Sequence, residues 1–186
     1  MSQEDSPVSR SILTMSQVNS LSDKDFIRTF GNVFENCSLA AAAVVRRRPF
    51  SSLRHMHAEM CSFVDQLPKK GREGILRNLA RIGNPPSSRN PQSRESYQEQ
   101  RSVGLHDLTK EERSMLDSLN NDYYRKFGFP FVICVRLNRK EAILQKLAKR
   151  LHSTAAIELH TGIEEVKKIV LLRLKNLVIE KLDSKL

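Results

Sequence analysis

Tryptophan is absent from the chain, aromatic residues make up only 6 %, and no aromatic-rich stacking motif is present. Proteins that read single-stranded bases commonly stack them on aromatic side chains, so nucleic-acid binding is not expected despite a net charge of +10. The basic residues are spread from Arg46 to Lys185 and are densest at Arg46-Arg47-Arg48 and Lys69-Lys70. Solvated helix faces account for most of them. Cysteine is scarce too. Cys37, Cys61 and Cys134 stand singly in apolar surroundings with no Cys/His metal spacing, as reduced core residues of an intracellular protein do. No apolar run approaches the roughly 20 residues that a membrane helix needs, and the N-terminus lacks an apolar signal core. A soluble, non-secreted protein with no membrane partner is therefore expected. None of His55, His57, His106, His152 and His160 has a partner at metal-ligand spacing, and no Ser/His/Asp, phosphate-loop or dinucleotide pattern can be placed. No metal is expected.

What is present is helical periodicity. The 186 residues, 39 % hydrophobic, suffice for one full core. Residues 1–17 are expected to be a disordered polar tail and 18–183 one all-α helical-bundle domain of about eight helices. Ser22 with Asp25 starts a helix through Phe26 and Phe30 that Gly31 ends. A second runs from about Ser38 to Arg47, and a third from Ser51 carries Leu53, Met56, Met60 and Val64 at helical spacing until Pro68 and Gly71. A fourth is expected from about Arg72 to Ile82, before a Pro/Ser/Asn loop. Further helices follow from Ser93 to Gly104, from a Thr109/Glu112 capping box to Lys126, from an Asn138/Glu141 cap to His152, and from Thr154 to about Leu182.

One stretch breaks this pattern. Gly128 and Pro130 interrupt the helical register, and Phe129 to Val135 then favours an extended backbone. An extended apolar segment with no neighbouring strand must find other partners for its backbone N–H and C=O groups, and a bound ligand is one candidate.

Two further features could carry chemistry. Ser96, Glu99 and Gln100 stand at i, i+3 and i+4, so a hydroxyl, a carboxylate and an amide share one helix face. Such a face can grip a polar ligand, although spacing alone favours an ordinary solvent-exposed face. Arg173 occupies a position of the apolar stripe formed by Leu159, Ile163, Val166, Val170 and Leu177. A guanidinium aimed at the core needs a carboxylate, from Glu99 or from a ligand, unless its apolar stem is buried and its head reaches water. The last three residues, Ser184-Lys185-Leu186, form a peroxisomal address when free and exposed, and the alternative is a chance ending to a basic helix.

Several stretches together resemble the 2-oxo-4-hydroxy-4-carboxy-5-ureidoimidazoline (OHCU) decarboxylase family of urate breakdown. They are Phe30-Gly31-Asn32-Val33, Arg48-Pro49-Phe50, Gly74-Ile75-Leu76-Arg77, Glu95-Ser96 with Glu99-Gln100, Phe127 to Cys134, and Glu164 to Ile169 with Leu172-Arg173-Leu174. The match runs from about Val18 to Leu186 in one order and with similar spacing. It implies an all-helical fold, often homodimeric, that needs no cofactor and converts OHCU to (S)-allantoin with loss of carbon dioxide. It also implies ligand contacts from Ala80, Ser96, Tyr97, Gln98, Glu99, Gln100, Phe131, Val132, Ile133, Cys134, Val135 and Arg173, with Glu99 serving catalysis as well. An import receptor for the C-terminal tripeptide 184–186 completes the implied partners.

The chain departs from the family at one place. After Gly-Ile-Leu-Arg and one residue, the family pattern continues His-Pro-Asp-Leu-Ala-Gly, and that histidine is its acid–base residue. Here the chain reads Arg77-Asn78-Leu79-Ala80-Arg81-Ile82-Gly83. An ungapped alignment puts Leu79 at the histidine, and a gapped one deletes His-Pro-Asp. In either alignment the histidine is missing. Severely impaired decarboxylation is the expectation, the other readings being a non-catalytic binding or dimerising protein and, last, a basic helical module for acidic partners. His106, seven residues after Glu99, could replace the histidine only if Gly104 did not interrupt the helix.

Overall fold

Short polar side chains begin most of the helices, because each first turn leaves backbone N–H groups that a nearby oxygen can accept. The computed structural model describes residues 12–83 and 92–179. Thr14 forms a capping box with Gln17 ahead of α1 (Met15–Ser20), and Ser22 accepts the Asp25 N–H ahead of α2 (Asp23–Phe30). After α3 (Leu39–Val44) comes one 3-10 turn at Val45–Arg47. Ser52 caps α4 (Leu53–Gln66), and Pro68 precedes α5 (Lys69–Arg77). Ser93 caps α6 (Arg94–Ser102), and the Thr109/Glu112 capping box opens α7 (Lys110–Phe127). α7 ends on Gly128 at φ +76°, a left-handed conformation that glycine adopts without steric cost. The chain then runs extended to a 3-10 turn at Val135–Leu137, followed by α8 (Lys140–Arg150) and α9 (Ala155–Lys175).

The architecture is all-α with a single hydrophobic core. α9 lies along α4 and α5 and also meets α7. Gly162 permits the close approach to α5: a Cβ there would come within 2.9 Å of a Leu76 methyl. Phe26, Phe30, Phe50, Met56, Met60 and Leu76 fill the centre with almost no exposure. Among the described residues no helix is long and apolar enough to cross a membrane.

Several boundaries differ from the sequence expectation. Residues 12–17 belong to the fold: Leu13 makes an isolated parallel bridge with Val178, its N–H reaching Leu177 O at 2.8 Å, and α1 follows at once. α5 starts at Lys69 with Gly71 inside it, and it stops at Arg77, because the Asn78–Gly83 backbone is drawn into side-chain hydrogen bonds instead of a helical ladder. Asn138 does not cap α8. Its Nδ2 donates to Cys134 O at 2.9 Å and its Oδ1 accepts from Lys146, so α8 begins after Arg139 without a side-chain cap. α9 ends at Lys175 rather than near Leu182. The Ser184-Lys185-Leu186 tripeptide and most of the Pro/Ser/Asn stretch lie outside the described residues.

Candidate functional site

The buried guanidinium of Arg173, 4 % exposed, organises the site. The apolar stripe of α9 carries it inward, and α6 supplies its partner. Arg173 Nε donates to Glu99 Oε1 at 3.1 Å and Nη2 to Glu99 Oε2 at 2.9 Å, a bidentate pair. Glu35, in the turn after α2, brings a second carboxylate oxygen within 3.9 Å of Nη2. Burial works against the arginine's charge, yet the Glu99 hydrogen bond and the charges of Glu99, Glu35 and Glu95 hold its pKa above the ordinary value. Arg173 Nη1 is buried without a hydrogen-bond partner among the described residues.

These groups border a small cavity of about 30 Å³, room for about two water molecules. α6 contributes Ser96, Glu99 and Gln100, so their shared face turns inward rather than to solvent, Ser96 and Gln100 being almost fully buried. The extended segment contributes Phe131, Val132, Ile133 and Val135. Leu79, Ala80 and Ile82 form another side. Among the described residues, the ionisable groups on the wall are Glu35, Glu99 and Arg173. No histidine among the described residues lines it.

Of the residues expected at a ligand site, Tyr97, Gln98 and Cys134 lie off this wall. Tyr97 packs on the His106 ring with centroids 4.4 Å apart, and Gln98 is exposed. Cys134 is buried beside the wall, its N–H donated to Glu165 Oε2 at 2.7 Å. Burial first, and then the charges of Glu165 and Glu99, push its thiol up to about 11. Gly104, at φ +75°, follows the end of α6 and separates His106 from the Glu99 face. His57 gives a ring nitrogen to Lys167 O at 2.9 Å, and no group of three or more metal-ligating side chains occurs among the described residues.

The Asn78–Gly83 side is a held structure. Asn36 Nδ2 donates to Asn78 O at 3.1 Å, Asn120 Nδ2 to Ile82 O at 3.0 Å, and the Gly83 N–H to Gln100 Oε1 at 2.8 Å. Arg113 Nη1 donates to Gly83 O at 2.5 Å. Leu79 and Ala80 are therefore fixed at the cavity by their flanking backbone. Gln100 faces the cavity and also holds this segment in place.

Glu35 escaped the sequence reading because it lies in a turn, where no periodicity marks an inward face. Its Oε1 accepts the N–H of Ser93, the residue that caps α6, at 2.7 Å. The carboxylate thus fixes the start of the helix that presents Glu99. An acidic residue between Val33-Phe34 and Cys37 is the only trace of this in the sequence.

An all-helical domain whose bidentate Glu–Arg pair borders a small cavity walled by extended backbone defines a narrow class of protein. The family model for OHCU decarboxylase matches residues 19–175, and the chain belongs to that family. It is 44 % identical to the 2-oxo-4-hydroxy-4-carboxy-5-ureidoimidazoline decarboxylase of Amia calva, over 89 % of this chain and 95 % of that protein. It is 40 % identical to the Xenopus laevis protein of the same name, over 94 % and 100 %. A crystal structure of (S)-allantoin synthase superposes with a TM-score of 0.72 at 22 % identity, over 89 % of this chain and 54 % of that one. An OHCU decarboxylase crystallised in the presence of (S)-allantoin gives 0.65 at 22 %, over 84 % and 98 %. These two likenesses show the fold.

Proposed function

We propose that this protein, as a member of the urate-degradation family, binds OHCU or (S)-allantoin beside Arg173, the wall opening beyond its two-water volume to admit the ligand, and that its decarboxylation chemistry is severely impaired. The observation that carries this reading is the composition of the wall, where, among the described residues, Leu79 and Ala80 stand with Glu35, Glu99 and Arg173 and no histidine. In the family reaction the bond to the carboxyl carbon breaks, carbon dioxide departs, and the electron pair left behind is delocalised into the ring's conjugated system. A positioned acid must then deliver a proton to one face. Arg173 suits the substrate's carboxylate, which would compete with Glu99 for the guanidinium. The backbone N–H groups of Ile133 and Val135, which have no partner among the described residues, suit the carbonyl oxygens of a ureide. A leucine side chain has no proton to exchange, and loss of a positioned acid–base group commonly lowers rate by roughly 10²–10⁴.

The test is to incubate the purified protein with freshly generated OHCU and follow (S)-allantoin by circular dichroism. Turnover near the spontaneous rate is expected, and turnover well above it overturns the proposal. The same wall supports a second reading, a non-catalytic protein that binds the ligand or dimerises. Thermal stabilisation by (S)-allantoin without turnover favours it, and sedimentation velocity measures the assembly state. Peroxisomal import rests on Ser184-Lys185-Leu186. A fluorescent fusion that remains punctate after deletion of that tripeptide would refute it.

A further inference from the structure

The extended segment is gripped from outside the cavity at alternate residues. Arg150, the last residue of α8, donates from Nη1 to Val132 O at 2.8 Å. The same guanidinium donates from Nε to Glu158 Oε2 at 2.8 Å and from Nη2 to the Tyr123 hydroxyl oxygen at 3.4 Å. Its central carbon sits 4.6 Å from the Phe131 ring centroid. Glu158, 1 % exposed, also accepts the Tyr123 O–H at 2.5 Å, so the cation is held by groups from α7 and α9 before it reaches the wall. Two residues on from Val132, Cys134 gives its N–H to Glu165.

In an extended backbone, consecutive residues turn their N–H and C=O groups to opposite edges. Holding Val132 and Cys134 on the outer edge therefore turns the backbone groups of the residue between them, Ile133, the other way. Ile133 borders the cavity, and its N–H and C=O have no partner among the described residues.

We propose that Arg150 is a positioning residue of the site: its planar fork ties Val132 O to the Glu158–Tyr123 pair and so fixes the direction in which Ile133 offers its backbone to a ligand. The inference rests on the cavity's being the ligand site, but its first readout needs no ligand. Arginine is required because a lysine ammonium can offset the buried Glu158 charge but cannot also lie flat on Phe131 and reach Val132 O.

The experiment compares the wild-type chain with R150K and R150Q by hydrogen exchange and by (S)-allantoin titration calorimetry. In R150K, amides of residues 131–137 are expected to exchange at least tenfold faster while α2 and α4 keep their protection, and (S)-allantoin affinity is expected to fall at least tenfold. R150Q is expected to show the same local loss, and if it fails to fold R150K decides. Wild-type exchange rates over 131–137 in R150K overturn the proposal, as does unchanged affinity. If the wild-type chain does not bind (S)-allantoin, the proposed function fails, and the exchange comparison still decides the positioning role.

Discussion

Replacing Glu99 by Gln tests the site where its energetics are most exposed. The substitution keeps the size of the side chain and removes the charge that faces Arg173 at 2.9 and 3.1 Å. Arg173 is 4 % exposed and cannot turn to water. Breaking a buried pair from one side costs about 3–5 kcal/mol. Glu35 remains 3.9 Å away and offsets part of the loss, which places the expected cost at the lower end, about 3 kcal/mol. For a domain of this size that lowers the melting temperature by about 6–12 °C. R173M should cost a similar amount, since it strands Glu99 and Glu35 together. The double variant E99Q/R173M should lose about 2 kcal/mol less than the sum of the single losses, within the coupling expected of contacting groups. Urea unfolding of the four proteins measures this cycle. Additivity within about 0.5 kcal/mol would refute a direct energetic pairing and, with it, the premise that a ligand anion must compete with Glu99.

Leu79→His should raise OHCU turnover at least about tenfold if the missing histidine limits the chemistry; an unchanged circular-dichroism progress curve would place the defect elsewhere. Tyr123→Phe should cost about 1.5–3 kcal/mol in urea unfolding, because the hydroxyl donates to the buried Glu158 carboxylate, and a loss below about 0.5 kcal/mol would contradict that. Burial pushes the Cys61 and Cys134 thiols up from 9.0 to about 11. Above pH 9 the unfolded chain releases protons that the folded chain keeps. Stability is therefore full below pH 9 and falls between about pH 9 and 11 as the two thiols resist ionisation in the folded chain. The variant C61A/C134A should show a shallower decline over that range in urea unfolding, and an equal slope would refute the linkage. Gly162→Ala should cost about 1–3 kcal/mol, since the added Cβ meets a Leu76 methyl in a packed core, and melting by circular dichroism would detect its absence.

Much of the helical framework was legible because local chemistry decided it. The Thr109/Glu112 box, the Ser22 cap and the Gly128 stop each depend on residues within one turn, and each occurs where the spacing places it. Arg173 was legible for a related reason: a 3-and-4 stripe assigns a face, and a cation on an apolar face demands a partner. Its partner was narrowed only to Glu99 or a ligand, because the tertiary fold and not the spacing sets Glu99 opposite the guanidinium. The same limit hid Glu35, whose inward turn depends on accepting the Ser93 N–H from another part of the chain. Spacing alone favoured solvent for the Ser96, Glu99 and Gln100 face. The opposite outcome follows from covering that face with Arg173 and the Asn78–Gly83 backbone. Asn138 had the right spacing for a cap, but its amide is engaged by Cys134 O. α1 was overlooked because it has six residues, and Val18 is the one it buries.

Glu35 and Arg173 come from opposite ends of the chain, and this orders events in time as well as space. The guanidinium belongs to α9, the last helix among the described residues, whereas the turn carrying Glu35 leaves the ribosome much earlier. Until α9 docks, Glu35 and Glu99 have no buried cation between them and can remain hydrated. The cavity therefore comes into being late, with closure of the long loop from residue 35 to residue 173, so a nascent chain halted before α9 holds many of the site's residues and none of its geometry.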